Sequence, residues 1–479
     1  MKSFITNEVN TITPYGEIEK GSIKIYRKEN KLKLIKELSY VEDMINSFKK
    51  NKAVYENIQY EFCKVKNIKN TIVRLENKNI LDEIELFEIK NFAINVNKIM
   101  EYYSKLNLNV DYINFKSLGK VVKLLDPDNF KLTTFRIYEA YSKQLLLIRQ
   151  NKLNVEKEIF SSTDIENIEK LKKKRLEIVI QEDKEVLKIR KALTEELYNY
   201  LIDVKENTTN IGKLDLLIAK ADLAIKYNAI KPSINEENKI YFKDLVNPNL
   251  QRILDSQGKQ YIPISIELDK KITIISGANM GGKSVSMKTI ALNLYLFQCG
   301  FFIFAKEANL CILDFIYLVS DDMQDINKGL STFGAEIIKL KEITKLIKLR
   351  DGFIALDEFA RGTNPIEGRL LLKSICEYFK QYNSISLIST HLDDINISDV
   401  DYYQVIGLRN VNFEGLKRQI NLKIGTDKSS NGVKILQEYM DYRMEKVSKE
   451  TKVPKDAINI CKLLGLDNEI INIANKLSK

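Results

Sequence analysis

Apolar residues recur every three or four positions through most of the first 235 residues, for example in Leu32–Lys50 and Asp82–Tyr103. That spacing predicts amphipathic helices. From Thr133 to Asn228 the only breakers are at Ser161–Thr163 and Asn207–Gly212. We therefore expect long antiparallel helices interrupted at those two places. Around Lys231–Asn235 the pattern changes. Lys271–Ser276, Phe301–Phe304, Gly352–Leu356 and Ser384–Ser389 are short apolar runs that read as buried strands, with helical stretches between them. This alternation predicts an α/β domain with a largely parallel sheet. The most apolar stretch, Ile290–Ala305, is short for a membrane span and is interrupted by Asn293, Gln298 and Gly300, so it reads as a buried helix running into a buried strand. Beyond about Lys434 the pattern is helical again. Pro454–Ala457 opens one helix, Gly465 closes it and Asp467–Glu469 starts another. The expected division is a helical core or lever domain over 1–235, an α/β domain over 236–434 and a C-terminal helical element over 435–479.

Composition adds limits. The chain has 479 residues, 44% of them apolar, with only seven prolines and nineteen glycines. That length predicts two to four domains, and the scarcity of breakers favours long helices. Five scattered cysteines and a single histidine, without a Cys-x-x-Cys, exclude a disulfide framework or a zinc ribbon as the organising principle. The polar N-terminus lacks a signal-peptide core, which predicts a cytoplasmic protein. The formal charge is +10, with 43 basic and 36 acidic residues in positions 1–240. A basic excess attracts nucleic acid, but the abundance of Lys, Ile and Asn also fits an AT-rich coding bias. The basic run Lys170 and Lys172–Arg175 is equally readable as a solvated helix face.

Four segments carry chemistry. Gly277-Ala278-Asn279-Met280-Gly281-Gly282-Lys283-Ser284 fits G-x-x-x-x-G-K-[ST] between a predicted strand and a predicted helix. In that context the glycines let backbone N–H groups curl around phosphate oxygens. Lys283 is placed to reach the β- and γ-phosphates and Ser284 to bind Mg²⁺, so ATP and Mg²⁺ are the expected ligands. Asp357-Glu358 ends the apolar strand Phe353–Leu356. An Asp there suits metal binding, and a Glu there suits orienting or deprotonating an attacking water. Ser389-Thr390-His391 follows the next strand, and His391 is the only histidine in the chain. It is either structural or a sensor of the γ-phosphate or the water. Ser331 and Thr332 open a further helix, as an N-cap or as phosphate contacts for a neighbouring subunit.

Together these segments resemble the DNA mismatch-repair MutS family of ABC-type ATPases. The resemblance rests on Gly277–Ser284, on Asp321-Asp322-Met323 with Ser331–Glu336, on Leu356–Thr363, and on Ser389-Thr390-His391. The family pattern has Pro where this chain has Ala278 and Thr where it has Val285. Neither change removes a phosphate or metal ligand. The resemblance implies an ATP hydrolase built as an α/β P-loop domain, preceded by an all-α lever domain and followed by a C-terminal helix-turn-helix. It places Tyr261 as the aromatic that stacks on adenine, and Leu214-Asp215-Leu216 on the helix that joins lever and ATPase. It makes Ser331 the residue that completes a partner subunit's site, and Cys461–Ala474 the helices through which two subunits pair. None of the twenty phenylalanines is followed two residues later by Glu, so the family's Phe-x-Glu mismatch reader is not matched. We therefore expect a form without the mismatch-reading and connector domains, with a short clamp region near 150–200 and no nuclease-like tail.

A narrower resemblance is to the MutS-like ATPase encoded with lysine 5,6-aminomutase. It rests on Thr13-Pro14-Tyr15-Gly16, Leu86–Lys90, Leu125-Asp126-Pro127-Asp128 and Met440-Asp441-Tyr442-Arg443. It implies a reactivase for an adenosylcobalamin-dependent mutase. Two clients thus stand side by side, a protein client and duplex DNA. The sequence alone leans slightly to the protein client, because the narrower motifs run along the whole chain. Both readings share a dimeric Mg-ATPase that converts nucleotide state into lever movement.

Overall fold

The structure is a computed structural model. It describes residues 1–129, 136–258, 260–277, 282–319, 332–361, 363–392, 395–407, 441–448, 460–461 and 466–477. The chain divides into two compact units. One comprises Ser3–Ile23 and Glu42–Ala221, and the other comprises Met1–Lys2, Lys24–Val41 and Asp222–Lys479.

The first unit is helical. In chain order the helices are α1 (Lys2–Glu8), α2 (Pro14–Ser22), α3 (Lys31–Lys50), α4 (Lys52–Phe62), α5 (Lys69–Glu76), α6 (Glu83–Lys105), α7 (Gly119–Leu125), α8 (Lys143–Ser161), α9 (Ile165–Tyr198) and α10 (Leu201–Lys226). The division between units falls within α3 and α10. Helix α6 shows why the apolar spacing works: Leu86, Ile89, Phe92, Ala93, Val96 and Ile99 form its buried stripe. A capping box starts it, with the Glu85 N–H donating to Asp82 and the Asp82 N–H donating to Glu85, both at 2.8 Å. Helices α8 and α9 form an antiparallel hairpin. Arg149 reaches Glu182 at 2.9 Å and Arg175 reaches Glu156 at 2.7 Å. The chain reverses at Ser162–Asp164, where the sequence predicts a break, and Asp164 caps α9 by accepting from the Glu166 N–H.

The second predicted break is not one. Asn207–Gly212 lies inside α10, and its unusual residues are contacts within the helical unit. Asn207 exchanges two hydrogen bonds with the backbone of Lys116, at 2.9 and 3.0 Å. Asn210 donates to the Asn114 carbonyl at 2.7 Å. A Cβ at Gly212 would sit 2.7 Å from the Tyr15 carbonyl oxygen. One turn on, Asp215 accepts from the Thr13 N–H at 2.6 Å and the Thr13 hydroxyl at 2.7 Å. Thr13 also caps α2 by accepting from the Gly16 N–H. The Thr13–Gly16 motif is thus a clasp on α10. Lys90 and Asp126, from two more of the short motifs, are both buried, and the Lys90 ammonium lies 3.2 Å from the Tyr138 hydroxyl.

Among the described residues the second unit holds ten strands: β1 (Ser233–Asn235), β2 (Ile240–Leu245), β3 (Ile264–Leu268), β4 (Ile272–Ser276), β5 (Glu307–Cys311), β6 (Phe315–Val319), β7 (Gly352–Leu356), β8 (Ile385–Ser389), β9 (Asp401–Gly407) and β10 (Asp441–Val447). Helices α11 (Pro248–Ser256), α12 (Lys283–Gln298), α13 (Thr332–Ile347), α14 (Pro365–Phe379) and α15 (Asn468–Leu477) complete it among the described residues. One sheet runs β1-β5-β2-β3 and the other β10-β9-β4-β8-β7-β6. From β9 to β6 the larger sheet is parallel. Every residue of β7 and β8 is buried, as expected for strands covered on both faces. Ile274, Ile354, Leu356 and Ile388 pack with Ile343 of α13 and Leu372 and Phe379 of α14. Parallel strands put their C-terminal ends on one edge, which is where ligands of such sheets bind.

Two expectations need correction. Phe301–Phe304 is buried but is not a strand of either sheet. Ile303 makes one bridge to Ile230, and the strand is Glu307–Cys311. The run is apolar because it fills a core, where Phe304 meets Tyr227 edge-on at 5.3 Å. Asp441–Val447, inside the stretch read as a helical C-terminal element, is strand β10, antiparallel to β9. Its closely spaced charges suit an edge strand as well as a helix surface. Of the expected C-terminal helices, α15 is seen, whereas Pro454–Ala457 and Leu463–Gly465 lie outside the described residues. No described helix is long and apolar enough to cross a membrane.

Candidate functional site

Strand β4 ends at Ser276 and α12 starts at Lys283, so the glycine-rich segment links a buried strand to a helix N-terminus. Residues Ala278, Asn279, Met280 and Gly281 lie outside the described residues, and the two ends of the loop are described. Gly277 has φ +137° and Gly282 has φ +84°, backbone that a side chain would resist. Lys283 follows at once, only 3% exposed, and its ammonium donates to the Gly277 carbonyl at 2.7 Å. Burial pulls that ammonium below the ordinary lysine range, and the carboxylates of Glu358 and Asp357 pull it back up. Ser284 is half-buried and Val285 is exposed, both in the first turn of α12, where helix polarity favours an anion.

Asp357 and Glu358 follow β7 directly and are both buried. Glu358 Oε1 lies 3.7 Å from the Lys283 ammonium, and Glu358 Oε2 accepts from Arg361 at 2.8 Å. The structure therefore brings the predicted lysine and glutamate together. It also adds Arg361, which the sequence reading did not single out. The backbone here is strained, with φ +48° at Glu358 and +65° at Ala360. Four hydrogen bonds hold it. The Asp357 N–H donates to the Val319 carbonyl at 2.9 Å, and the Glu358 N–H donates to the Ser389 hydroxyl at 2.8 Å. The Ala360 N–H donates to Glu336 of α13 at 2.9 Å, and the Arg361 N–H to the Glu358 carbonyl at 3.2 Å. The Ser389 hydroxyl in turn donates to Asp357 Oδ1 at 2.7 Å. Ser389 and Glu336 stand in motifs quoted from the sequence, but their contacts cross between strands and helices that only the fold brings together.

His391 is exposed, two residues beyond the C-terminal end of β8, on the edge shared with β4 and β7. Tyr261 is buried, and its hydroxyl accepts from the Asn247 N–H at 3.1 Å. Burial raises its phenol above the ordinary range, against the hydrogen bonds from Asn247 and Thr289. Ser331 lies outside the described residues, and α13 begins at Thr332. Asp357 and Ser284 offer hard oxygen donors, the chemistry that Mg²⁺ takes, and Asp357 is held with one oxygen already oriented.

A cationic lysine at a helix N-terminus beside a buried Asp-Glu pair can hold polyphosphate and present a carboxylate to water. Residues 273–478 match the family model MutS domain V. A protein named Endonuclease MutS2 from Acetivibrio thermocellus is 32% identical over 263 residues, 54% of this chain and 32% of that protein. Endonuclease MutS2 from Carboxydothermus hydrogenoformans is 33% identical over 264 residues, covering 54% and 33% respectively. DNA mismatch repair protein MutS from Thermodesulfovibrio yellowstonii is 34% identical over 238 residues, covering 46% and 27%. The chain thus spans about a third of the length of the curated relatives it matches.

Proposed function

We propose that this chain, whose residues 273–478 match MutS domain V, is an ATP hydrolase whose cycle acts on duplex DNA. The observation that carries the hydrolase is the buried constellation of Lys283, Asp357, Glu358 and Ser389 at the C-terminal ends of β4, β7 and β8. In this reading the backbone N–H groups between Gly277 and Lys283 cradle the phosphates. Lys283 leaves the Gly277 carbonyl for the β- and γ-phosphates. That shift frees Glu358 Oε1 to accept a proton from the attacking water, while Arg361 keeps the other oxygen oriented. Asp357 and Ser284 would hold Mg²⁺, which when bound offsets the charge on the phosphate oxygens. Ser331, the residue before α13 in the sequence, would complete the site of a second subunit, so the active form would be a dimer. Tyr261 would serve the adenine and His391 the γ-phosphate.

For the client, DNA is supported better than an aminomutase. The matched relatives carry the names Endonuclease MutS2 and DNA mismatch repair protein MutS. The Thr13–Gly16, Leu86–Lys90 and Leu125–Asp128 motifs, which suggested the narrower resemblance, contribute to packing inside the helical unit. They need no client to explain them. The α8–α9 hairpin, with Lys172–Arg175 exposed on it, is a surface on which phosphate contacts would be made.

Steady-state ATP hydrolysis with and without duplex DNA tests the client. We expect stimulation by DNA at moderate salt that is lost at high salt, because phosphate contacts release counterions. Indifference to DNA, with ATP-dependent recovery of an inactivated lysine aminomutase in the presence of adenosylcobalamin, would transfer the assignment to the protein client.

A further inference from the structure

We propose that Ser389 is a positioning residue of the hydrolytic site, setting the Asp357 carboxylate and the Glu358 backbone with one hydroxyl. The proposal rests on the reading of Asp357 as a metal ligand and Glu358 as the water-activating base. Ser389 is 1% exposed at the end of β8. Its oxygen accepts from the Glu358 N–H at 2.8 Å and its hydrogen goes to Asp357 Oδ1 at 2.7 Å. A serine hydroxyl has one donor and two acceptor positions. Since an N–H fills an acceptor position, the single proton is committed to the carboxylate. Asp357 is therefore held by its own N–H on Val319 of β6 and by a hydroxyl from β8, with a strand on either side.

The same hydroxyl bears on Glu358. That residue has φ +48°, a conformation that non-glycine residues avoid, and a buried N–H pointing anywhere but at an acceptor would add to the cost. Ser389 supplies the acceptor. Parallel pairing of β7 with β8, in which Leu356 lies opposite Ile388, brings the next residue of each strand, Asp357 and Ser389, into reach. The arrangement is thus a product of register, and the adjacent Thr390 and His391 in the same segment do not share it. Groups that orient a metal-binding carboxylate in this way typically contribute about 10–100-fold in metal affinity or activity.

The test is Mg²⁺ titration of nucleotide binding and of ATP hydrolysis in the full-length protein, comparing wild type with Ser389→Ala. We expect the Mg²⁺ concentration for half-saturation to rise about tenfold or more and turnover to fall, with Mg²⁺-free nucleotide binding unchanged. A melting temperature that drops while the Mg²⁺ dependence stays at the wild-type value would show a purely structural role and overturn the proposal. If Ser389→Ala does not fold, Ser389→Cys carries the same comparison. Its weak thiol donor should raise the half-saturation in the same direction, and a wild-type titration would again overturn the proposal. Asp357→Asn and Glu358→Gln run alongside report on the underlying reading. A wild-type Mg²⁺ dependence in Asp357→Asn would remove that reading, and the Ser389 proposal with it. Normal Asp357→Asn and Glu358→Gln defects beside an unaffected Ser389→Ala would sink the proposal alone.

Discussion

Glu358 and Ala360 adopt left-handed backbone at φ +48° and +65°, which costs about 1–2 kcal/mol for each non-glycine residue. Such strain persists only where the surroundings over-determine it, and here Ser389 and Glu336 supply acceptors for the two N–H groups. Lys283 is another buried residue at odds with its environment, held at 2.7 Å from Gly277 and 3.7 Å from Glu358. Removing it takes a charge-assisted hydrogen bond from the phosphates, about 1.5–3 kcal/mol, or about 10–150-fold in affinity. Lys283→Ala should therefore weaken ATP binding by at least that range, measured by equilibrium titration with a fluorescent ATP analogue. Its melting temperature should fall only modestly, because Arg361 still pairs the Glu358 carboxylate and the variant no longer bears the desolvation of a buried ammonium. Binding at wild-type strength would remove Lys283 from the phosphate site. Gly277–Ser284 and Asp357–Glu358 were legible in the sequence because their chemistry is contiguous. Ser389, Arg361 and Glu336 were not, because their roles depend on which strand lies beside which.

At the scale of elements, α10 shows how a sequence can mislead. Asn207 and Gly212 look like breakers, yet both lie inside a helix of 26 residues. Propensity lost to tertiary contacts there: the two asparagines bond backbone at 114–116, and Gly212 makes room for the Tyr15 carbonyl. This gives a prediction of reversed sign. Gly→Ala inside a helix usually stabilises by about 0.5–1 kcal/mol. At Gly212 the new Cβ would meet the Tyr15 oxygen at 2.7 Å, so Gly212→Ala should destabilise by about 1–3 kcal/mol. Urea denaturation measures it, and a gain in stability would show that α2 and α10 do not pack this closely. The same blindness to context explains Phe301–Phe304 and β10. An apolar run says that residues are buried without saying whether they pair, and charges at close spacing suit an edge strand as well as a helix.

For the whole molecule, the change in pattern near residue 235 anticipates a helical part and an α/β part, but not the finer division. Lys24–Val41 groups with the α/β unit although its residues read as one helix among many. Long-range grouping of that kind depends on contacts such as Lys28 with Asp351 at 2.5 Å, 323 residues apart, which no local pattern encodes. The excess of +10 in charge permits contact with nucleic acid without requiring it. Narrower than any client is the proposal that this chain hydrolyses ATP with Glu358 as the base. Pre-steady-state turnover of wild type and Glu358→Gln, at matched ATP occupancy, addresses it most directly. ATP binding should be retained in the variant and hydrolysis slowed by about 10²–10⁴-fold. Hydrolysis at the wild-type rate in Glu358→Gln would contradict it.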